Sequence, residues 1–169
     1  MILGFAHPAI VVRDLDRAAR FYCEAFGFRR QCSDFESWHD NPAIDAAIGC
    51  EGSVVNGCML AGHNCYLELF EFAAPQQNGP APSKLGPHEP GIRHLAFYVD
   101  DVSAEFARVI GLGASPLGVP QPEAGITAVY IRDPEGNVIE LAEFPTPEED
   151  LRRLPGVSHL QSEVTYVQS

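Results

Sequence analysis

An α+β chain made of two copies of one β-α-β-β-β module is the fold class this sequence predicts. Two internal echoes carry that reading. The run Gly91-Ile92-Arg93-His94-Leu95-Ala96-Phe97-Tyr98-Val99-Asp100-Asp101-Val102 repeats the grammar of Gly4-Phe5-Ala6-His7-Pro8-Ala9-Ile10-Val11-Val12-Arg13-Asp14-Leu15. In each, an Ala follows the His by two residues, a Val by five, an Asp by seven and an aliphatic residue by eight. Further along, Leu67-Glu68-Leu69-Phe70-Glu71-Phe72 returns as Ile139-Glu140-Leu141-Ala142-Glu143-Phe144. Each copy therefore opens on a histidine strand and closes on a glutamate strand.

The elements follow in order. Residues 4–12 alternate as a strand, with His7, Ala9 and Val11 on one face and Ile10 and Val12 on the other. Asp14 is a good N-cap, and Leu15, Ala18, Ala19, Tyr22 and Phe26 form the apolar stripe of a helix that Gly27 stops. Residues 28–38 read as a strand, 40–53 as a loop with one helical turn, and 54–61 and 65–73 as two strands around a Gly62-His63-Asn64 turn. The first module is thus placed at residues 1–73 and a Pro-rich linker at 74–90. The second module, 91–145, reads as strand 92–99, helix 101–110 stopped by Gly111 or Gly113, strand 114–119, strand 126–132, the turn Asp133-Pro134-Glu135-Gly136-Asn137 and strand 138–144. A tail, 146–169, holds one amphipathic segment from Glu148 to Leu154. The interval from His7 to Glu68 is about 15 residues longer than that from His94 to Glu140, so the first copy carries an insertion, mostly at 36–53. It is a candidate lid.

At 169 residues the chain is long enough for one well-buried domain or two half-size modules. A net charge of −12 excludes the Lys/Arg-rich surfaces that bind nucleic acid or anionic membrane. No apolar run approaches a membrane span, and the first residues show neither a basic region nor an apolar leader, so a cytoplasmic address is expected. The five cysteines are odd in number and never spaced C-x-x-C, which speaks against a disulfide framework or a structural zinc site.

Strand periodicity brings the chemistry to one face of each copy. Glu68, Phe70 and Phe72 share a face, as do Glu140, Ala142 and Phe144, while Leu67 and Leu69, or Ile139 and Leu141, suit packing under the helices. On the histidine strands the matching face carries His7 with Ala9, and His94 with Ala96 and Tyr98. Each module then presents one imidazole and one carboxylate away from its helix. If the two sheets curve toward each other, two His and two Glu converge, a donor set suited to Zn, Ni, Co, Mn or Fe. A buried carboxylate is costly unless paired or metal-bound, and here each copy places one beside a histidine. Glu71 and Glu143 fall on the helix side near strand ends and are read as solvated; His39, His63, His88 and His159 are read as surface residues, with His39 within reach of the cup from the insertion.

The paired modules, the two histidine openings and Asp133-Pro134-Glu135-Gly136-Asn137-Val138-Ile139-Glu140-Leu141 resemble the vicinal oxygen chelate superfamily over about residues 4–145. That superfamily includes glyoxalase I, methylmalonyl-CoA epimerase, extradiol dioxygenases and fosfomycin resistance enzymes; the glyoxalase and epimerase members are the most similar. The resemblance implies a curved, partly closed β-barrel-like cup with helices outside, formed within one chain or by exchange in a homodimer. It implies one divalent metal ion held by His7, Glu68, His94 and Glu140. It further implies a metal-dependent isomerase, epimerase or lyase acting next to a carbonyl on a small molecule with vicinal oxygens. Glu68 and Glu140 would pass the proton, and Phe70, Phe72, Tyr98 and Phe144 would line the pocket. Two alternatives remain: an Fe(II) extradiol-type dioxygenase using His7, His94 and Glu140, and a non-catalytic protein that binds a drug or metabolite in the cup.

Overall fold

The computed structural model describes residues 1–31, 36–123 and 125–143, in two compact units that divide between Pro80 and Ala81. Cys32, Phe144, His159 and the tail lie outside the described residues. Among the described residues no helix is long and apolar enough to cross a membrane.

The first unit contains β1 (Ala9–Val12), α1 (Leu15–Phe26), β2 (Arg29–Arg30), α2 (Pro42–Ile48), β3 (Val54–Ala61) and β4 (Tyr66–Ala74). Its sheet order is β1-β4-β3-β2, with β1 parallel to β4 and the other pairs antiparallel. The Asp14 side chain accepts from the Arg17 amide at 2.9 Å, and Gly27 closes the helix in the left-handed conformation at φ 68°. Between these caps Leu15, Ala18, Ala19, Phe21, Tyr22 and Ala25 are buried. They meet Leu67 and Leu69 from β4 and Leu60 from β3, all essentially inaccessible, so the helix-side face of the sheet is the core.

The second unit repeats this plan with β5 (His94–Tyr98), α3 (Val102–Gly111), β6 (Ser115–Pro116), β7 (Gln121–Glu123), β8 (Ile126–Arg132) and β9 (Val138–Glu143). Its sheet order is β5-β9-β8-β6, again with the outer pair β5 and β9 parallel, and β7 also pairs with β8. Asp101 caps α3 through the Ala104 amide at 2.9 Å. Val102 and Val109 face inward against Ile139, Leu141 and Ile131. The Asp133 carboxylate, 3% exposed, accepts from the Glu135 amide and from both the amide and the side chain of Asn137. Arg132 reaches the carbonyls of Pro82, Leu85 and Gly136, tying a short 3-10 turn at Pro82–Lys84 to this loop. A Cβ on Gly136 would stand 2.6 Å from the Ser83 amide nitrogen, so only glycine fits there. The Asp-Pro-Glu-Gly-Asn motif thus serves the turn into β9.

Five expectations change. β1 begins at Ala9 rather than residue 4, because Pro8 has no N–H for the ladder, although its carbonyl still accepts from Glu68 at 3.1 Å. The strand expected at 28–38 is broken. Arg29 and Arg30 pair with Ala61 and Leu60, and Trp38 rejoins β3 opposite Val55. Residues 32–35 lie outside the described residues, and Glu36 is a turn residue rather than a strand residue. In the second copy the strand expected at 114–119 shrinks to β6, and the unforeseen β7 forms where Pro120 and Pro122 were read as breaks. Pro122 is tolerated because β7 pairs on one side only. The loop read at 40–53 holds a true helix, α2, whose punctuation is in the sequence: Asn41 caps the Ile44 amide, Pro42 opens the first turn and Gly49 closes it at φ 67°.

The fifth change concerns Glu71 and Glu143, which are not simply solvated. Glu71 Oε2 accepts from the Leu15 amide at 2.8 Å, and Glu143 Oε2 accepts from the Val102 amide at 3.0 Å. Each closing strand therefore caps the first free N–H of its own helix, where the helix dipole favours a negative charge. Glu71→Ala and Glu143→Ala should each cost about 1–2 kcal/mol in urea unfolding. Losses below a few tenths of a kcal/mol in both would show that water replaces these carboxylates without cost.

Candidate metal centre

The parallel registers bring each histidine to its glutamate. Ala9 lies opposite Glu68 in the β1–β4 pair, and Ala96 lies opposite Glu140 in the β5–β9 pair. The histidine two residues before each alanine shares its face, away from the helix. His7 Nε2 stands 3.0 Å from Glu68 Oε2, and His94 Nε2 stands 3.0 Å from Glu140 Oε2. Both pairs are part-buried: the glutamate side chains are 16% and 22% exposed, the histidines 33% and 36%. The small side chains of Ala9 and Ala96 leave the space beside each pair open.

This donor chemistry fits a divalent ion. Two cis ligands at about 2.1 Å on an octahedral ion are about 3.0 Å apart, which is the separation each pair already has. Neutral imidazole with carboxylate suits the borderline and harder transition metals. Among the described residues no group of three or more His, Cys, Asp or Glu side chains comes together, so each pair stands as two donors.

The surroundings of the two pairs differ. Beside Glu68, Phe70 and Phe72 pack edge-to-face at 6.3 Å between ring centroids, and Trp38 adds a third ring at 5.4 Å from Phe70 and 6.4 Å from Phe72. The segment carrying Trp38 crosses β3 at Gly57, where a Cβ would stand 2.3 Å from the Glu36 carbonyl oxygen and 2.8 Å from the Phe70 ring. In the second unit Tyr130 lies opposite Glu140, and its ring centroid is 5.0 Å from that of His94. Burial, and then the nearby negative charge of Glu140, push the Tyr130 phenol above its ordinary value, so it stays a neutral hydroxyl at working pH. The corresponding position opposite Glu68 is Met59. Tyr98, on the His94 face, is 43% exposed. Phe144, the fourth expected pocket residue, is outside the described residues.

Neither Trp38 nor Tyr130 was among the expected site residues. Trp38 was hidden because the insertion leaves the strand pattern, and Tyr130 because its partner is set by the β8–β9 register. His39, His63 and His88 are exposed. Cys23, Cys50, Cys58 and Cys65 are free thiols, and burial pushes Cys23 and Cys58 up, which keeps them protonated and unreactive.

Residues 4–141 match the sequence profile of the Glyoxalase/Bleomycin resistance protein/Dioxygenase superfamily, and the chain belongs to that superfamily. It is 33% identical over 153 residues to a 2-epi-5-epi-valiolone epimerase from Actinomyces, covering 82% of this chain and 78% of that one. Among solved structures it resembles a glyoxalase family protein from Bacillus cereus, with 26% identity, a TM-score of 0.72 and coverage of 85% and 95%. The fosfomycin resistance protein FosX of Listeria monocytogenes, solved with Mn(II) and sulfate, shares the fold at 20% identity and a TM-score of 0.55, covering 88% of this chain and 98% of that one.

The raised Tyr130 phenol is directly measurable. The alkaline absorbance titration of wild type minus that of Tyr130→Phe should show a midpoint above 10.0, and Glu140→Gln should lower it while burial keeps it above that value. A midpoint at or below 10.0 in wild type would contradict the packing described for this ring.

Proposed function

We propose that this protein is a metal-dependent enzyme of the glyoxalase type, an isomerase, epimerase or lyase that moves a proton on a carbon next to a carbonyl. One observation carries the reading: the same His–carboxylate pair, at the same 3.0 Å and the same strand register, stands in both units. Unlike Glu71 and Glu143, which recur because each satisfies a helix amide, these pairs stand part-buried on the face away from the helix, and their donor chemistry suits a divalent ion. His7, Glu68, His94 and Glu140 are proposed as that set, completed within one chain or by exchange in a homodimer. The similarity to a 2-epi-5-epi-valiolone epimerase supports an epimerase-type proton transfer. The substrate class is a small molecule with two vicinal oxygens.

When bound, a divalent ion supplies Lewis-acid stabilisation of the negative charge that develops on the substrate oxygens. The protein's own part is positioning and proton transfer. Glu68 and Glu140 are acceptor groups on separate strands, so one takes the proton and the other returns it. The parallel register of the first and last strands fixes where each carboxylate stands. Phe70, Phe72 and Tyr98 give the site an apolar lining that lowers the local dielectric and strengthens these charges. Tyr130 adds a neutral hydroxyl next to His94.

Metal analysis by mass spectrometry on wild type, His7→Ala and Glu140→Ala tests the ligand set. About one transition-metal ion per chain is expected in wild type and its loss in both variants. A wild-type protein that stays metal-free after reconstitution with Ni, Co, Zn, Mn and Fe would overturn the proposal. The proton role is tested separately, by wash-in of solvent deuterium into a panel of α-hydroxyketones followed by NMR. Glu68→Gln and Glu140→Gln should each slow exchange by about 10²–10⁴-fold. Near-normal exchange in both would remove the proton shuttle and leave the metal site standing.

A further inference from the structure

The insertion that distinguishes the first copy ends on a polar chain whose central residue is buried. Trp38 Nε1 donates to Ser53 Oγ at 2.6 Å, and the Ser53 hydroxyl donates in turn to Asp45 Oδ1. Ser53 is 1% exposed. Asp45, on α2, also accepts from the Gly52 amide at 2.8 Å and the Ser53 amide at 3.2 Å. These hydrogen bonds, the Ser53 hydroxyl first, hold the Asp45 carboxyl below its ordinary range, so it is a fixed acceptor at neutral pH. The Trp38 backbone is held as well, by two hydrogen bonds to Val55 at 3.0 and 2.9 Å. An indole whose backbone and ring nitrogen are both pinned has one way to face. Its ring lies against Phe70 and Phe72, on the sheet face that also carries Glu68.

A ring added only to fill the core would sit on the other face, under α1, where Tyr22, Leu67 and Leu69 are inaccessible. Trp38, Phe70 and Phe72 instead are all partly exposed. Such a surface is an apolar wall beside the His7–Glu68 pair, and the carboxylate chain behind it stops the largest ring from swinging away.

We infer that Trp38 is a specificity-determining residue, that Ser53 and Asp45 are its positioning residues, and that the wall selects substrates carrying a flat apolar group next to the vicinal oxygens. The inference deepens the function proposed above and rests on that reading for the vicinal-oxygen end. The insertion supplies this selectivity to one copy; among the described residues the other has no helix between β6 and β8, the strands that correspond to β2 and β3.

Two small hydroxamates separate the parts, since both present vicinal oxygens and they differ only in a methyl or a phenyl group. Binding of acetohydroxamate and benzohydroxamate to the full-length, Zn(II)-loaded protein would be measured by calorimetry. Fluorescence gives a second readout, because Trp38 is the chain's single tryptophan. Wild type should prefer benzohydroxamate by at least about tenfold, the scale of burying one aromatic ring, and its binding should quench Trp38. Trp38→Ala should bring the preference near unity, the loss falling on benzohydroxamate. Ser53→Ala and Asp45→Asn should fall between, and Trp38→Phe, which keeps a ring at the wall, should retain most of the preference and serves as the folding control.

Metal-dependent acetohydroxamate binding with no phenyl preference, or a preference that survives Trp38→Ala, would overturn the wall and leave the proposed function intact. Benzohydroxamate that quenches Trp38 in a protein blind to acetohydroxamate would uphold the wall and overturn the metal reading. Binding of neither would overturn both.

Discussion

The parallel pairing of the first and last strands is what each unit depends on. It joins β1 to β4 and β5 to β9 in a register that sets Ala9 against Glu68 and Ala96 against Glu140. A slip of one residue would turn Glu68 or Glu140 into the apolar side of its sheet and expose Leu67 and Leu69, or Ile139 and Leu141. Those four aliphatic residues are essentially inaccessible, so the hydrophobic effect itself fixes the register that brings His and Glu together. Site geometry and core packing are one constraint here.

The same strands carry a second glutamate each, three residues on, and the pleat sends it to the opposite face. Glu68 and Glu140 meet a histidine, while Glu71 and Glu143 meet the first amide of a helix. Both positions are carboxylates for opposite reasons. One faces a histidine on the side away from the helix, and the other satisfies an N–H that the helix cannot. The repeated Glu-Leu-x-Glu-Phe pattern is thus half site and half scaffold.

Duplication leaves the pairs alike and their surroundings different. Tyr130 stands beside the second pair and Met59 beside the first. The first copy alone holds α2 and the Asp45–Ser53–Trp38 chain, made possible where Gly57 lets the Glu36–Trp38 segment cross its sheet. A symmetric pair of carboxylates in unlike settings suits a reaction in which two groups handle one proton at different stages. The asymmetry lies in the surroundings and not in the His–Glu pairs themselves.

Much of this was legible in the sequence, because a repeat with period-two alternation states both the fold and the face of each residue. The helices of both copies, their aspartate caps, the glutamate strands and the pairing of His7 with Glu68 and His94 with Glu140 follow from local pattern and from the requirement that apolar faces be buried. Tertiary structure decided what depends on register and on departures from pattern. The broken strands after α1 and α3 keep no alternation to read, so β2, β6 and β7 came out short. The partners of Glu71, Glu143 and Tyr130 lie on other elements, at positions that only strand pairing and helix packing set. Trp38 stands on the glutamate face because the Glu36–Trp38 segment crosses β3 at Gly57 and is held by hydrogen bonds to Val55 and Ser53. Local sequence dictates which face a side chain shows; which groups meet across that face is settled by the packing of the whole unit.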